Sequence, residues 1–126
     1  MGKLLIADDS APLLEALEYI LGRNGYEVKT LKSAAGIYKE IDEFHPDLLI
    51  LDIFLGDEDG RNICRHIRDT IFNNQLRILL FSAFPKYLEG YQSYGADDFI
   101  EKPFELKGLI DKIQSILHWQ LTTSVI

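Results

Sequence analysis

Apolar residues in this chain recur in two rhythms that alternate along its length. Leu4-Leu5-Ile6-Ala7, Leu48-Leu49-Ile50-Leu51 and Ile78-Leu79-Leu80-Phe81 are unbroken apolar runs bounded by polar or turn residues. They are too short for helices and predict strands buried on both faces of a parallel sheet. Tyr26 to Leu31 alternates instead, with Tyr26, Val28 and Thr30 on one face and Glu27 and Lys29 on the other. That pattern suits an edge strand. Asp97 to Ile100 gives a short fifth strand.

Between these runs the apolar spacing changes to three and four residues. Leu13, Leu14, Leu17, Ile20 and Leu21 predict a first helix, with Ser10 as N-cap, Pro12 in the first turn and Asn24-Gly25 as the stop. A second, capped by Ser33, carries Ala34, Ile37, Tyr38 and Ile41 and closes at His45-Pro46. A third begins near Arg61, carries Ile63, Ile67 and Ile71, and is followed by a turn at Asn73-Asn74. Pro85 is placed to open a short fourth helix that Gly95 ends. Its internal Gly90 costs about 1 kcal/mol relative to alanine, so this helix is expected to be the least rigid. The last holds Leu106, Leu109, Ile110, Ile113, Ile116 and Leu117, with Trp119 near its end.

Five strands alternating with five helices predict an α/β domain built on an open, doubly wound, five-stranded parallel sheet. The edge character of the second strand selects the flavodoxin-like order 2-1-3-4-5, in which strands 1 and 3 flank the switch point. Residues 1–120 are expected to form the domain and 121–126 a tail or the start of a linker.

Composition narrows the function classes. With 126 residues, 47% hydrophobic and 26% charged, the chain has the make-up of one globular domain. The net charge of −7 argues against direct binding to nucleic acid or an anionic membrane, and favours a basic partner or a divalent cation. One cysteine, Cys64, allows no internal disulfide and suits a reducing cytoplasm; it is expected to fill space on the third helix. No apolar run approaches the roughly 18–20 residues of a membrane span. Met1-Gly2-Lys3 leads straight into a strand without a signal peptide, so a cytoplasmic location is expected.

The chemistry lies where the apolar runs end. Asp8 and Asp9 follow strand 1, Asp52 ends strand 3, Ser82 ends strand 4 and Lys102 follows strand 5. In this topology the carboxyl ends of the strands line one crevice, where ligands bind. Two like charges about 4 Å apart repel by about 4 kcal/mol at an effective dielectric near 20, so three carboxylates there need compensation. Lys102 supplies one charge, and a hard divalent cation such as Mg²⁺, which prefers oxygen ligands and retained waters, would supply two. Taken singly, each residue has a structural alternative. Asp8-Asp9 can serve a helix N-terminus, Ser82 can cap a helix, Lys102 can be a solvated loop residue, and Phe99 and the Tyr87/Tyr91/Tyr94 stripe can be packing.

Taken together they resemble the receiver domain of two-component response regulators, in the manner of the chemotaxis regulators, from Leu4 to about Leu117. The motifs are Asp8-Asp9, Leu51-Asp52 with Asp59-Gly60 following, Ser82-Ala83, and Gly95-Ala96-Asp97-Asp98-Phe99 leading to Lys102-Pro103-Phe104. The resemblance implies that Asp52 accepts a phosphoryl group from a histidine kinase or a histidine phosphotransfer protein. It implies Mg²⁺ on Asp9, Asp52 and the Phe54 carbonyl, with Asp8 acting mainly through water. Ser82 and Lys102 would bind phosphoryl oxygens, and the Lys102-Pro103 peptide would be cis. Ser82 and Phe99 would act as the switch, and the helix 4, strand 5 and helix 5 face as the output surface, toward an effector protein, an output domain or a second copy. Such a domain has no separate substrate and catalyses only its own phosphorylation and dephosphorylation.

Gly56 stands where that family usually has proline, so the loop after Asp52 is expected to be looser, and Ser82 replaces the commoner threonine. Phe54 and Phe84 occupy the two variable positions beside the phosphoryl site, and their apolar bulk is expected to hinder attacking water. The alternative function is a phosphorylation-independent receiver that only binds proteins. An aspartate-nucleophile phosphatase would want a second carboxylate where Phe54 stands. A flavin or nucleotide carrier would want a glycine-rich loop after strand 1, where the chain has Asp8-Asp9.

Overall fold

A computed structural model describes residues 2–71 and 75–125, with side chains through 118. The turn expected at Asn73-Asn74 and the side chain of Trp119 lie outside the described residues. The chain runs β1 (Lys3–Ala7), α1 (Ala11–Arg23), β2 (Glu27–Leu31), α2 (Ile37–Phe44), β3 (Leu48–Asp52), β4 (Phe54–Leu55), β5 (Glu58–Asp59), α3 (Gly60–Thr70), β6 (Arg77–Ser82), β7 (Asp98–Glu101) and α4 (Leu106–Val125). Two 3₁₀ turns, Pro85–Leu88 and Tyr91–Tyr94, lie between β6 and β7.

The five long strands are all parallel, in the order β2-β1-β3-β6-β7. This is the doubly wound sheet expected from the sequence, with the alternating strand at an edge. Within each central strand successive side chains point to opposite faces. Leu5, Ala7, Leu49, Leu51, Ile78 and Leu80 pack with Ile37 and Ile41 of α2 and Ile63, Cys64 and Ile67 of α3. Leu4, Ile6, Leu48, Ile50, Leu79 and Phe81 pack on the other face with Leu14, Leu17 and Leu21 of α1 and Leu109, Ile113 and Ile116 of α4. Each leucine, isoleucine or phenylalanine among them contributes about 1.5–3 kcal/mol on burial. Because both faces are covered, the central strands read as unbroken apolar runs.

Several local expectations are corrected. The fourth helix does not form; Gly90, at φ +71°, breaks the segment into the two 3₁₀ turns. Ser33 is not the cap of α2, which starts after Gly36 at φ +88°. Tyr38 faces outward and pairs with His66 Nδ1 of α3 at 2.5 Å, while Phe44 takes the third buried position on α2. Leu106 is exposed at the start of α4. That helix continues through Val125 and takes in most of the expected tail. The loop after Asp52 is a β4–β5 hairpin with Gly56 at φ +62°, a left-handed conformation closed to proline.

Ser10 caps α1 as expected, accepting from Leu13 N at 3.4 Å, with Pro12 in the first turn. Cys64 is buried among the aliphatic residues of α3, and its thiol is pushed up to about 12 by that burial. No helix among the described residues is long and apolar enough to cross a membrane.

Candidate functional site

The carboxyl edge of the sheet carries the polar residues that the apolar runs deliver. Asp8 follows β1, Asp52 ends β3, Ser82 ends β6, and Lys102 follows β7. Register does the positioning, since Leu51 pairs with Ala7 and with Leu80, and Asp52 with Phe81. Neighbouring strands lie about 4.8 Å apart, so side chains at their ends reach one another.

Asp8, Asp9 and Asp52 each offer a carboxylate oxygen, and these oxygens lie within 4.8 Å of one another. Asp8 is fully buried, Asp52 is 5% exposed and Asp9 lies open to solvent. Asp8 accepts from the Ser10 backbone N–H at 2.7 Å and from Lys102 Nζ at 2.6 Å. Lys102 Nζ also reaches Asp52 Oδ2 at 3.2 Å and sits 4.5 Å from the centre of the Phe81 ring. The other Asp52 oxygen accepts from Phe54 N–H at 3.1 Å. The Lys102–Pro103 peptide is cis.

Burial pushes the Asp52 carboxyl up to about 6, assisted by the Asp8 charge and opposed by Lys102 and the Phe54 N–H. Lys102 feels the same burial, which disfavours its charge, yet the hydrogen bond to Asp8 and the charges of Asp52 and Asp8 hold it above its ordinary value. One cation therefore serves two buried carboxylates, and the site retains an excess of negative charge.

Ser82 is fully buried, and its Oγ accepts from Phe84 N–H at 3.0 Å. Phe99 lies on β7 opposite Leu80, half-buried, with its ring 4.9 Å from that of Tyr91. The structure thus gathers Asp8, Asp9, Asp52 and Lys102 in mutual reach and sets Ser82 on the adjacent strand end. Phe99 stands apart, on β7, just beyond the two 3₁₀ turns. Gly60 closes the floor, donating to Ile53 O at 2.7 Å. A Cβ there would stand 2.2 Å from the Asp52 carbonyl oxygen, so only glycine fits.

Sequence reasoning missed three supporting groups. Arg68 of α3 donates to Gly95 O at 2.8 Å, to Leu76 O at 2.7 Å and to Asp97 Oδ2 at 2.8 Å, tying α3 to the start of β7. Lys112 of α4 donates to Phe99 O at 2.7 Å and lies over its ring. Arg61 pairs with Asp59 at 2.7 Å and stacks on Tyr87 and Tyr94. All three are long side chains acting between elements distant in sequence, which periodicity does not report.

A family model described as "Response regulator receiver domain" matches residues 4–114. The chain is 37% identical over 121 residues to the transcriptional regulatory protein AfsQ1 of Streptomyces coelicolor, covering 94% of this chain and 52% of that protein. The chain therefore spans about half the length of that curated relative. Among solved structures it resembles a response regulator signal receiver domain from Bermanella marisrubri, with a TM-score of 0.85 and 29% identity over 91% of this chain and 97% of that one. It also resembles NtrX from Brucella abortus, with a TM-score of 0.87 and 27% identity over 98% of this chain and 29% of that one.

Proposed function

The chain belongs to the response regulator receiver family, and on that premise we propose that Asp52 is a phosphoacceptor whose modification switches the domain between two signalling states. The observation that carries this reading is the site's charge imbalance. Buried Asp8 and Asp52 share one ammonium, with Asp9 completing a set of converging oxygens. Three hard oxygen donors with one open to solvent fit Mg²⁺, which keeps several waters. Asp8, Asp9, Asp52 and the Phe54 carbonyl would hold it, and when bound it supplies neutralisation of the charge that builds on the transferring group.

The chain's own residues do the rest. The ionised Asp52 carboxylate attacks phosphorus, and the bond from phosphorus to the donor's imidazole nitrogen breaks, leaving an acyl phosphate on Asp52. Lys102 keeps its charge and moves its pairing from the bare carboxylate to a phosphoryl oxygen. Ser82 hydroxyl, now an acceptor for Phe84 N–H, gains a strong anionic acceptor for its proton. A shift of Ser82 opens space toward Phe99, and the phosphoryl group need only bias an existing two-state equilibrium.

The output face that the resemblance assigns to helix 4, strand 5 and helix 5 is made here of the two 3₁₀ turns, β7 and α4. The partners are a sensor histidine kinase or phosphotransfer protein upstream and an effector protein, an output domain or a second copy of the chain downstream. The setting is the cytoplasm, and there is no substrate apart from the domain itself.

Beryllofluoride with Mg²⁺, an acyl-phosphate mimic, tests the reading by amide NMR. Shifts spreading from Asp52 to Ser82 and Phe99, absent in Asp52→Asn, are expected. A folded protein with no Mg²⁺-dependent shift would replace the switch by a phosphorylation-independent binding module.

A further inference from the structure

Beside the Asp52 site three aromatic rings meet from two segments, Phe54 from the β4–β5 hairpin and Phe84 and Tyr87 from the turn after β6. Phe54 and Phe84 each stand two residues beyond a site residue, Asp52 and Ser82, and each donates its backbone N–H back to that side chain. Their rings meet edge to face across the gap, with centroids 5.5 Å apart. Tyr87 stands edge-on to Phe54 at 5.0 Å and to Phe84 at 6.2 Å. All three are exposed, so core packing does not hold them in place.

Arg61 ties one of them, Tyr87, to the hairpin that carries Phe54. Its guanidinium grips Asp59 through Nη2 at 2.7 Å and Nε at 3.0 Å, and lies 5.1 Å from the centre of the Tyr87 ring. Asp59 is in turn fixed as the N-cap of α3 and pairs with Phe54 across the β4–β5 hairpin. The Arg61 hydrogen bonds hold the Asp59 carboxyl below the usual carboxylate range, so the grip persists across neutral pH. The brace closes a loop: Phe54 to Asp59, Asp59 to Arg61, Arg61 to Tyr87, and Tyr87 back to Phe54.

We propose that Arg61 and Tyr87 are positioning residues that set the lifetime of the phosphoryl group, by bracing the Phe54–Phe84 pair as an apolar cover beside the acyl phosphate. This rests on the reading of Asp52 as phosphoacceptor. In hydrolysis a water oxygen bonds to phosphorus while the bond from phosphorus to the Asp52 oxygen breaks. The electron pair returns to the carboxylate, inorganic phosphate departs, and the water's proton passes to solvent. A closed cover keeps that water out, and a loosened one admits it.

The test labels the protein with acetyl phosphate and Mg²⁺, removes the donor, and follows loss of acyl phosphate. Arg61→Ala and Tyr87→Ala are each expected to shorten the half-life about two- to tenfold, the scale of one lost aromatic or cation–π contact. Tyr87→Phe recovers most of the loss, because the ring remains. Arg65→Ala, which removes a guanidinium from Tyr94 and none from Tyr87, leaves the half-life unchanged. In a Phe54→Ala background, Arg61→Ala has no further effect, since the brace then has nothing to hold. A metal-free readout accompanies it: the ring-proton NMR shifts of Phe54 and Phe84 move in Arg61→Ala and stay in Arg65→Ala. Wild-type half-lives in Arg61→Ala and Tyr87→Ala, or full additivity with Phe54→Ala, overturn the proposal. A wild type that takes no label, or labelling that survives Asp52→Asn, overturns the phosphoacceptor reading and the lifetime role with it, while the ring shifts still report whether the brace exists.

Discussion

Replacing Asp52 by asparagine in the metal-free protein is expected to stabilise the fold, although it removes one half of an ion pair. Asp52 is 5% exposed, and burial lifts its carboxyl from the ordinary 3.8 to about 6 despite Lys102 and the Phe54 N–H. At 1.36 kcal/mol per pH unit, that rise means the ionised carboxylate costs the folded state about 3 kcal/mol. The sign follows from proton linkage: between about pH 4 and 6 the folded chain binds the proton that the unfolded chain has released, so wild-type stability falls as pH rises. The penalty is complete above pH 6 and absent below 3.8, where the carboxyl is neutral in both states. Asp52→Asn escapes it, while Lys102 keeps its 2.6 Å contact with Asp8. Urea unfolding followed by circular dichroism in EDTA should give the variant an advantage of about 2–3 kcal/mol at pH 7.5 that shrinks toward zero near pH 4. Mg²⁺ at millimolar concentration should narrow the gap, by stabilising the wild type more than the variant. A variant less stable than wild type at pH 7.5, or an advantage that does not change with pH, would refute the reasoning.

Three further outcomes follow from the same geometry. Gly60→Ala should lose about 2–4 kcal/mol in urea unfolding, because its Cβ would meet the Asp52 carbonyl oxygen at 2.2 Å and backbone cannot yield as a side chain can; a loss under about 1 kcal/mol would show that the β3–α3 junction can relax. Arg68→Ala should cost about 3 kcal/mol by thermal or urea melting, since it strips hydrogen bonds from Gly95, Leu76 and Asp97 together. Arg68→Lys should recover little, because an ammonium cannot span three acceptors held by a planar fork, and full recovery would contradict this account. Lys102→Ala should destabilise the metal-free protein by about 2–4 kcal/mol at pH 8, leaving two buried carboxylates unpaired. That loss should ease toward pH 5 as Asp52, at about 6, takes up a proton, and a pH-independent loss would count against the shared-cation picture.

The central strands were legible because they are buried on both faces, which forces unbroken apolar runs such as Leu48-Leu49-Ile50-Leu51. The carboxyl ends of those runs carried Asp8, Asp52 and Ser82 in plain view, Lys102 followed the short strand β7 at one edge, and the alternating pattern of β2 marked it as the other edge. Local chemistry was less readable where glycine decided it. Gly90 broke the expected fourth helix, Gly36 delayed the second, and Gly56 made a hairpin of the loop after Asp52, each through a positive φ that composition does not announce. Tertiary structure alone decided that Lys102 lies between Asp8 and Asp52, that Arg68 joins α3 to β7, and that Arg61, Tyr87, Phe54 and Phe84 close into one brace. Periodicity records which face of an element is buried, because burial repeats with the element's own pitch. A contact between two loops has no pitch to repeat, and it exists only once the sheet has brought their ends together.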